Sequence, residues 1–204
     1  MPPHDPFTER AGSRFAKDTQ RAAVRALRAA RSQSEREAAD RARTEALLSA
    51  LGDWRPEVVA AYASVGPEPG TADLLDALAA WATVLLPVLS AASEGPRRDP
   101  DWAVYEGRDQ LRTGLWGIPE PTGATLGPDA IGRADLVVLP GLAGTPDGDR
   151  LGTGGGWYDR ALAGNGAARW MLLYDDELYE AVPVDPWDLP VSVIVTERRV
   201  LRCQ

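Results

Sequence analysis

The stretch GDRLGTGGGWYDRAL, Gly148 to Leu162, sets four glycines among the five residues Gly152 to Gly156, with Arg150 before them and Asp159 after. Glycine costs about 0.5–1 kcal/mol relative to alanine in regular structure. A cluster this dense therefore marks a backbone shape, or a close approach, that side chains would block. Arginine adds a planar cation with several donors. Upstream, DLVVLPG reads as a strand stopped by Pro140 and Gly141. Downstream, a short helix is expected from about Trp157. In open α/β sheets ligands bind beyond the carboxyl ends of strands, and main-chain N–H groups at a helix start are unpaired and partly positive. Phosphate binding fits this pattern; a loop that is only structural is the other reading.

Two familiar motifs are absent. A P-loop needs a lysine that this block lacks, and Trp157 stands where G-x-G-x-x-G requires glycine. Asp159 is open to two readings as well. A carboxylate early in a helix is favourable in itself. Beside a polyphosphate it would repel the ligand unless Mg²⁺ lay between them, with a second carboxylate from elsewhere.

The rest of the composition narrows the chemistry. The chain has 204 residues and a net charge of −8, which argues against nucleic acid or an anionic membrane as the main partner. Its one histidine is His4, its one cysteine Cys203 and its one lysine Lys17. Ser-His-Asp and Cys-His catalysis and histidine-based zinc sites are thereby disfavoured. A lone cysteine and no visible secretory signal lead us to expect a cytoplasmic setting.

The elements that must position the glycine block alternate. Residues 1–12 read as a loose tail ahead of one domain, 13–204. Ser13 to Ser32 is helical in period, and Arg14, Lys17, Arg21, Arg25, Arg28 and Arg31 share a face. That face is either solvated or partly turned toward an anion. Ser34 and Glu37 can form a capping box for a second helix through Leu51. Strands are expected at EVVAAYA, TVLLPVL, WAVYE, DLVVLPG, RWMLLYD and VSVIVTE, with a helix that Thr71 can cap, running to about Trp81, between the first two. Segments 90–101 and 119–129 read as loops. The implied fold is α/β: a single domain with a mostly parallel sheet, helices on both faces and an N-terminal helical hairpin.

The block LPGLAGTPDGDRLGTGGGWYDRAL resembles the 5-formyltetrahydrofolate cyclo-ligase family, also called methenyltetrahydrofolate synthetase. The family pattern is about PG-x-A-F-D-x-x-G-x-R-L-G-x-G-x-G-x-Y-D-x-x-L. Arg150, Leu151, Gly152, Gly154, Gly156, Tyr158, Asp159 and Leu162 fall in place. Weaker echoes run from the basic helix to VIVTE and include YASVGPEPGT and GLWGIPEP. The resemblance implies an ATP- and Mg²⁺-dependent reaction of a reduced folate. The formyl oxygen of 5-formyltetrahydrofolate attacks the γ-phosphate, then N10 closes the ring and expels phosphate, giving 5,10-methenyltetrahydrofolate.

By position, the resemblance makes Arg150, Leu151, Gly152, Thr153, Gly154, Gly155, Gly156, Trp157 and Tyr158 the nucleotide loop, with Arg150 and Tyr158 nearest the chemistry. It has Thr153 to Trp157 also border the folate, and it matches Ala63, Glu68 and Trp116 to the folate pocket. Without it, Trp116 reads as core and Glu68 as part of a solvated turn. Asp159 and Asp188 become the Mg²⁺ ligands. Arg21 and Arg25, in RAAVR, take the places of the N-terminal lysine and arginine, with Lys17 an alternative for the lysine. The chain departs from the pattern at Gly144 for phenylalanine, at Trp187 for histidine, and at Glu177 where glutamine is common. A monomer or weak homodimer is expected. The competing readings are a divergent relative that binds folate or nucleotide without turnover, and a small phosphate-ester enzyme on a similar scaffold.

Overall fold

Two apolar runs build the centre of the sheet. TVLLPVLS forms β2 (Thr83–Ser90) and LVVLP forms β6 (Leu136–Pro140), and both are buried along most of their length. Strands apolar on both faces are what a parallel sheet covered on both sides requires. In this computed structural model the backbone is described for residues 6–90 and 96–204, and side chains for 14–90 and 100–204.

The chain begins with helices α1 (Pro6–Ala30) and α2 (Gln33–Leu51), followed by β1 (Val58–Ala60) and α3 (Ala72–Ala79). After β2 come β3 (Pro96–Val104), β4 (Leu111–Thr113) and β5 (Pro119–Pro121). After β6 come β7 (Ala143–Gly144), β8 (Arg150–Leu151), α4 (Trp157–Ala161), β9 (Ala168–Leu172), β10 (Val193–Val195) and β11 (Val200–Arg202). The main sheet runs β11-β10-β9-β6-β1-β2-β3. Its five inner strands are parallel, and β3 and β11 pair antiparallel at the edges.

One sheet face packs on Leu47 and Leu51 of α2 and on Leu74, Leu75 and Leu78 of α3. The other packs on Ile131, in a 3₁₀ turn, and on Leu162 just after α4. No helix among the described residues is long and apolar enough to cross a membrane.

The order matters for function. From β1 the chain moves to β2 on one side, then returns to β6 on the other. Strand order therefore reverses between β1 and β6, and in doubly wound sheets that is where a crevice opens beyond the strand ends. The loops that leave β1 and β6 carry, respectively, Ala63 with Glu68 and the glycine block.

Several local expectations are corrected. Helix α1 begins at Pro6 and so takes in residues 6–12; the first five residues of the expected tail lie outside the described ones. The capping box is Ser32 with Glu35, not Ser34 with Glu37. Ser32 is extended (φ −65°, ψ 160°), its Oγ accepts from Glu35 N at 3.3 Å, and its N–H donates to Glu35 Oε2 at 2.8 Å. Ser34 is already helical and so is unavailable as a cap. Thr71 precedes α3 but makes no side-chain cap; its hydroxyl donates to Tyr62 O at 2.8 Å instead. The segments expected as loops contribute β3 and β5. Both contain prolines, which edge strands and small ribbons tolerate.

Gly148 holds the turn between β7 and β8 against the chain entering β10. Its φ is +91°, and a Cβ there would lie 2.3 Å from Val191 O. The obstacle is backbone, so it cannot rotate away. Gly148→Ala is therefore expected to destabilise the fold by about 2–4 kcal/mol, read as a drop in melting temperature. An unchanged melting temperature would mean that the two segments are not held together.

Candidate functional site

The glycine block is delivered by a small ribbon. β7 and β8 pair antiparallel, with Gly144 opposite Arg150, and Leu142 N donates to Leu151 O at 2.8 Å. Leu151 turns inward, 1% exposed, and packs with Val24, Leu142 and Val182. Its side chain is thus an anchor for α1, while its neighbour Arg150 faces the crevice. At Gly144 a Cβ would come within 2.8 Å of Ile194 Cδ1 and Met171 Cε, the far ends of flexible side chains that can shift. Gly154 and Gly156 have φ of +113° and +62°, conformations that favour glycine.

The basic stripe of α1 is mostly turned onto the protein, not to water, and its middle reaches this loop. Arg21 Nε donates to Gly152 O at 3.0 Å, and Arg25 donates to Thr153 O at 3.0 Å. Arg160 donates to Gly155 O at 3.1 Å. The carbonyls of Gly152, Thr153 and Gly155 are thus taken, while among the described residues the N–H groups of 152–156 have no hydrogen-bond partner. That asymmetry leaves donors on the exposed side of the loop. The α4 helix behind it is a single turn, so anion attraction rests on these amides and on the arginines.

Two lobes meet at the loop. The larger is a cleft of about 780 Å³ lined by Arg14, Lys17, Arg21, Arg150, Asp159, Asp185, Trp187 and Asp188, among others. Arg150 is 5% exposed, is ion-paired with Asp159, and donates from Nε to Leu189 O at 3.0 Å. Asp159 Oδ1 also accepts from Leu189 N at 3.2 Å. Lys17 Nζ lies 2.6 Å from both Asp185 Oδ2 and Asp188 Oδ2. Burial pulls the Lys17 ammonium down, but hydrogen bonds and charge from the two aspartates outweigh it and hold the pKa above its usual value.

Asp159 and Asp188 therefore face one cleft, each engaged by a cation. No group of three or more His, Cys, Asp or Glu side chains fit to hold a metal occurs among the described residues. A protein-only metal cage is absent there. Mg²⁺ carried by phosphates needs only one or two carboxylates from the protein, and this pair of oxygen donors fits that requirement.

The smaller lobe, about 120 Å³, is more apolar. Tyr62, Ala63, Glu68, Pro87, Leu89, Ile118 and Pro140 line it, closed by Thr153, Gly155, Trp157 and Tyr158. Burial pushes the Glu68 carboxyl above the ordinary carboxylate range, against the bond it accepts from Val65 N at 2.9 Å. Burial, with the Glu68 charge added, also raises the Tyr158 phenol. Trp116 is not core: it is 67% exposed, at φ +56°, and stacks on Trp157 with centroids 5.3 Å apart and planes 18° apart.

Arg150, Gly152, Gly156 and Asp159 line both lobes. The sequence residues are thus gathered around one loop, with three exceptions: Leu151 points into the core, Arg25 touches the loop but lines neither lobe, and Trp116 lines neither lobe and reaches the site only through its stack on Trp157. Asp185, Arg14 and Leu189 were not singled out as site residues. For Arg14 the helical spacing to Lys17 and Arg21 was a usable signal. Asp185 had none, since its partner lies 168 positions away. Glu177 is buried and receives Arg28, Nε to Oε1 at 2.7 Å; neither lines a lobe, but Arg28 also donates to Gly141 O, next to the lining Pro140.

Comparison with known proteins identifies the fold and the family. The model of the 5-formyltetrahydrofolate cyclo-ligase family matches residues 14–197. A 5-formyltetrahydrofolate cyclo-ligase of Mycolicibacterium smegmatis is 37% identical over 144 residues, covering 69% of this chain and 74% of that protein. The Escherichia coli K12 protein of the same name is 31% identical over 151 residues, covering 70% and 79%. The solution structure of Aquifex aeolicus 5,10-methenyltetrahydrofolate synthetase superposes with a TM-score of 0.73 at 28% identity, covering 92% of this chain and 93% of that one. A Mycoplasma pneumoniae 5,10-methenyltetrahydrofolate synthetase shares the fold at a TM-score of 0.68 and 19% identity, covering 89% and 98%. The chain belongs to the 5-formyltetrahydrofolate cyclo-ligase family.

Proposed function

We propose that this protein converts 5-formyltetrahydrofolate to 5,10-methenyltetrahydrofolate, with ATP cleaved to ADP and phosphate. The observation that carries the reading is the junction of the two lobes. A polar, cation-lined cleft and a more apolar pocket share Arg150, Gly152, Gly156 and Asp159. A triphosphate in the first and a pterin in the second would present the γ-phosphorus and the formyl oxygen to one another across the loop. The new O–P bond forms as ADP leaves; N10 then attacks the formyl carbon and loses its proton, and the carbon's C–O bond to phosphate breaks, the departing phosphate taking up that proton. Both nucleophiles belong to the substrate, so the protein's work is positioning and charge stabilisation.

In this reading Arg21 and Arg25 set the loop's shape by holding its carbonyls, while Arg150 and the free amides meet the phosphates. Mg²⁺ on the triphosphate would neutralise phosphate charge beside Asp159 and Asp188. Lys17 then gives up part of its hold on Asp188. Glu68 accepts from the pterin's N–H groups, and Tyr158 closes the wall behind it. The apolar lobe is smaller than the usual range for ligand pockets, about 300–1,000 Å³. Trp116, exposed and stacked on the half-buried Trp157, is the element beside it that can open.

The test is spectrophotometric: purified protein, 5-formyltetrahydrofolate and Mg-ATP should give the long-wavelength absorbance of the methenyl product, and none without ATP. Calorimetric binding of ATP and folate with no product would make the chain a non-catalytic relative. Phosphate-ester binding with no ATP dependence would point to a different reaction.

Glu68 supplies a pH prediction. Its raised pKa means that the ionised form, the one able to accept the pterin's hydrogen bonds, is lost at a higher pH than for an ordinary glutamate. Folate KM is expected to rise on the acid side beginning above the ordinary carboxylate range. In Glu68→Gln that acid limb should vanish, with KM higher by about tenfold at neutral pH, as for one lost charged hydrogen bond. An acid limb unchanged by Glu68→Gln would remove Glu68 from the pocket.

A further inference from the structure

We propose that Trp187 is the platform on which the base of a purine nucleotide stacks in the charged lobe. The inference rests on the nucleotide reading above and extends it to the other end of the ligand. Residues lining both lobes mark where a γ-phosphate must sit to reach a substrate in the apolar pocket. The base then points away from them, into the part lined by the charged lobe alone. Among the described residues lining only that part, Trp187 is the one aromatic; the others are charged residues, glycine, alanine and leucine.

The indole is free to receive a ring. It is 59% exposed, and among the described residues it packs against no other aromatic ring. Its main chain is nevertheless fixed. Asp188 N donates to Asp185 O at 2.9 Å and Asp185 N to Asp188 Oδ2 at 2.8 Å, so residues 185–188 form a closed turn. Lys17 then ties both aspartates to α1. A platform held in place before binding loses little freedom on binding.

The turn is also joined to the reacting end. Leu189, two residues on, is bonded through its N–H to Asp159 and through its carbonyl to Arg150. Two residues span at most about 7 Å, so the platform sits a short, fixed distance from the junction. Cations for the phosphates and an open indole for the base thus line one cleft, as an extended nucleoside triphosphate requires. At this position the family pattern carries histidine, a smaller ring, so the larger stacking face belongs to this chain.

Binding to the whole protein by titration calorimetry, with Mg²⁺ present, tests this with two ligands: ATP and inorganic tripolyphosphate. Base stacking is worth about 1–3 kcal/mol per base, which corresponds to about 5–150-fold in Kd. Trp187→Ala is expected to weaken ATP by such a factor and to leave tripolyphosphate unchanged, and Trp187→Phe to recover part of the loss. Unchanged ATP affinity in Trp187→Ala overturns the inference. So does equal weakening of both ligands, which would make the residue a prop for the phosphate site. A protein that turns folate over while its ATP affinity ignores Trp187→Ala loses this inference alone. One that binds ATP in the base-dependent way yet forms no methenyl product keeps the inference and loses the proposed reaction.

Discussion

Arg150→Met is expected to lower kcat/KM for the ATP-driven reaction by about 10²–10³, the usual cost of removing one preorganised donor from developing charge. Three observations set that size. The guanidinium is 5% exposed, so its charge acts where water screens it little. It lines both lobes and so lies where phosphoryl transfer is proposed to occur. It is also oriented in advance, by Asp159 on one nitrogen and Leu189 O on another. Arg150→Lys should recover only part of the loss. An ammonium keeps the charge but lacks the rigid fork that bonds Asp159 and Leu189 O together. Thermal melts separate chemistry from unfolding: the activity loss must persist at temperatures where the variant is fully folded. Turnover near wild type would take Arg150 out of the reaction.

The parts of this site that were legible in the sequence are those whose chemistry is local. Gly152 to Asp159 lie within one short stretch, so their order alone announces a tight, charged loop. The central strands were legible for a similar reason. β2, β6, β9 and β10 are apolar runs, because a parallel strand buries both faces. The edges were not. β3 and β5 contain prolines, and β11 is three residues long. An edge strand meets one neighbour and needs no long apolar run to do so.

The basic stripe shows the limit more sharply. Periodicity says which residues share a face, but not what that face meets. The answer lies in the passage of α1 over the strand ends, where Arg21 and Arg25 reach the carbonyls of Gly152 and Thr153. Lys17 depends on aspartates 168 and 171 positions away. Trp116 is a similar case. Its type suggested core, yet the chain around it, Gly114 to Gly117, turns it outward onto Trp157. Each of these depends on how distant segments cross, which residue type and spacing do not encode.

The same crossing makes Arg28 the most consequential position outside the site. It is 2% exposed, and its partner Glu177 is fully buried. Arg28 grips both carboxylate oxygens, at 2.7 and 2.8 Å, and donates to Gly141 O at 2.6 Å, just past the end of β6. Glu177 Oε2 also accepts from Tyr174 N at 3.0 Å. Removing one partner leaves the other charge buried and unpaired, so Arg28→Met is expected to destabilise the fold by about 3–5 kcal/mol. For a domain of this length each kcal/mol lowers the melting temperature by about 2–4 °C. Glu177→Gln, the residue more usual in the family pattern, should cost less. The amide still accepts one bond from Arg28, while its NH₂ faces either Tyr174 N–H or the guanidinium. In the double variant the two effects should fall short of their sum, because the second change removes a charge already orphaned by the first. Additive effects would mean that the two side chains do not depend on each other. Function should follow stability in a specific way: α1 carries Arg25 and Arg21 one and two turns before Arg28, so a loosened α1 raises the KM for ATP before it lowers kcat. A variant with lowered kcat and unchanged ATP KM would show that the pair acts on the chemistry by some route other than the loop.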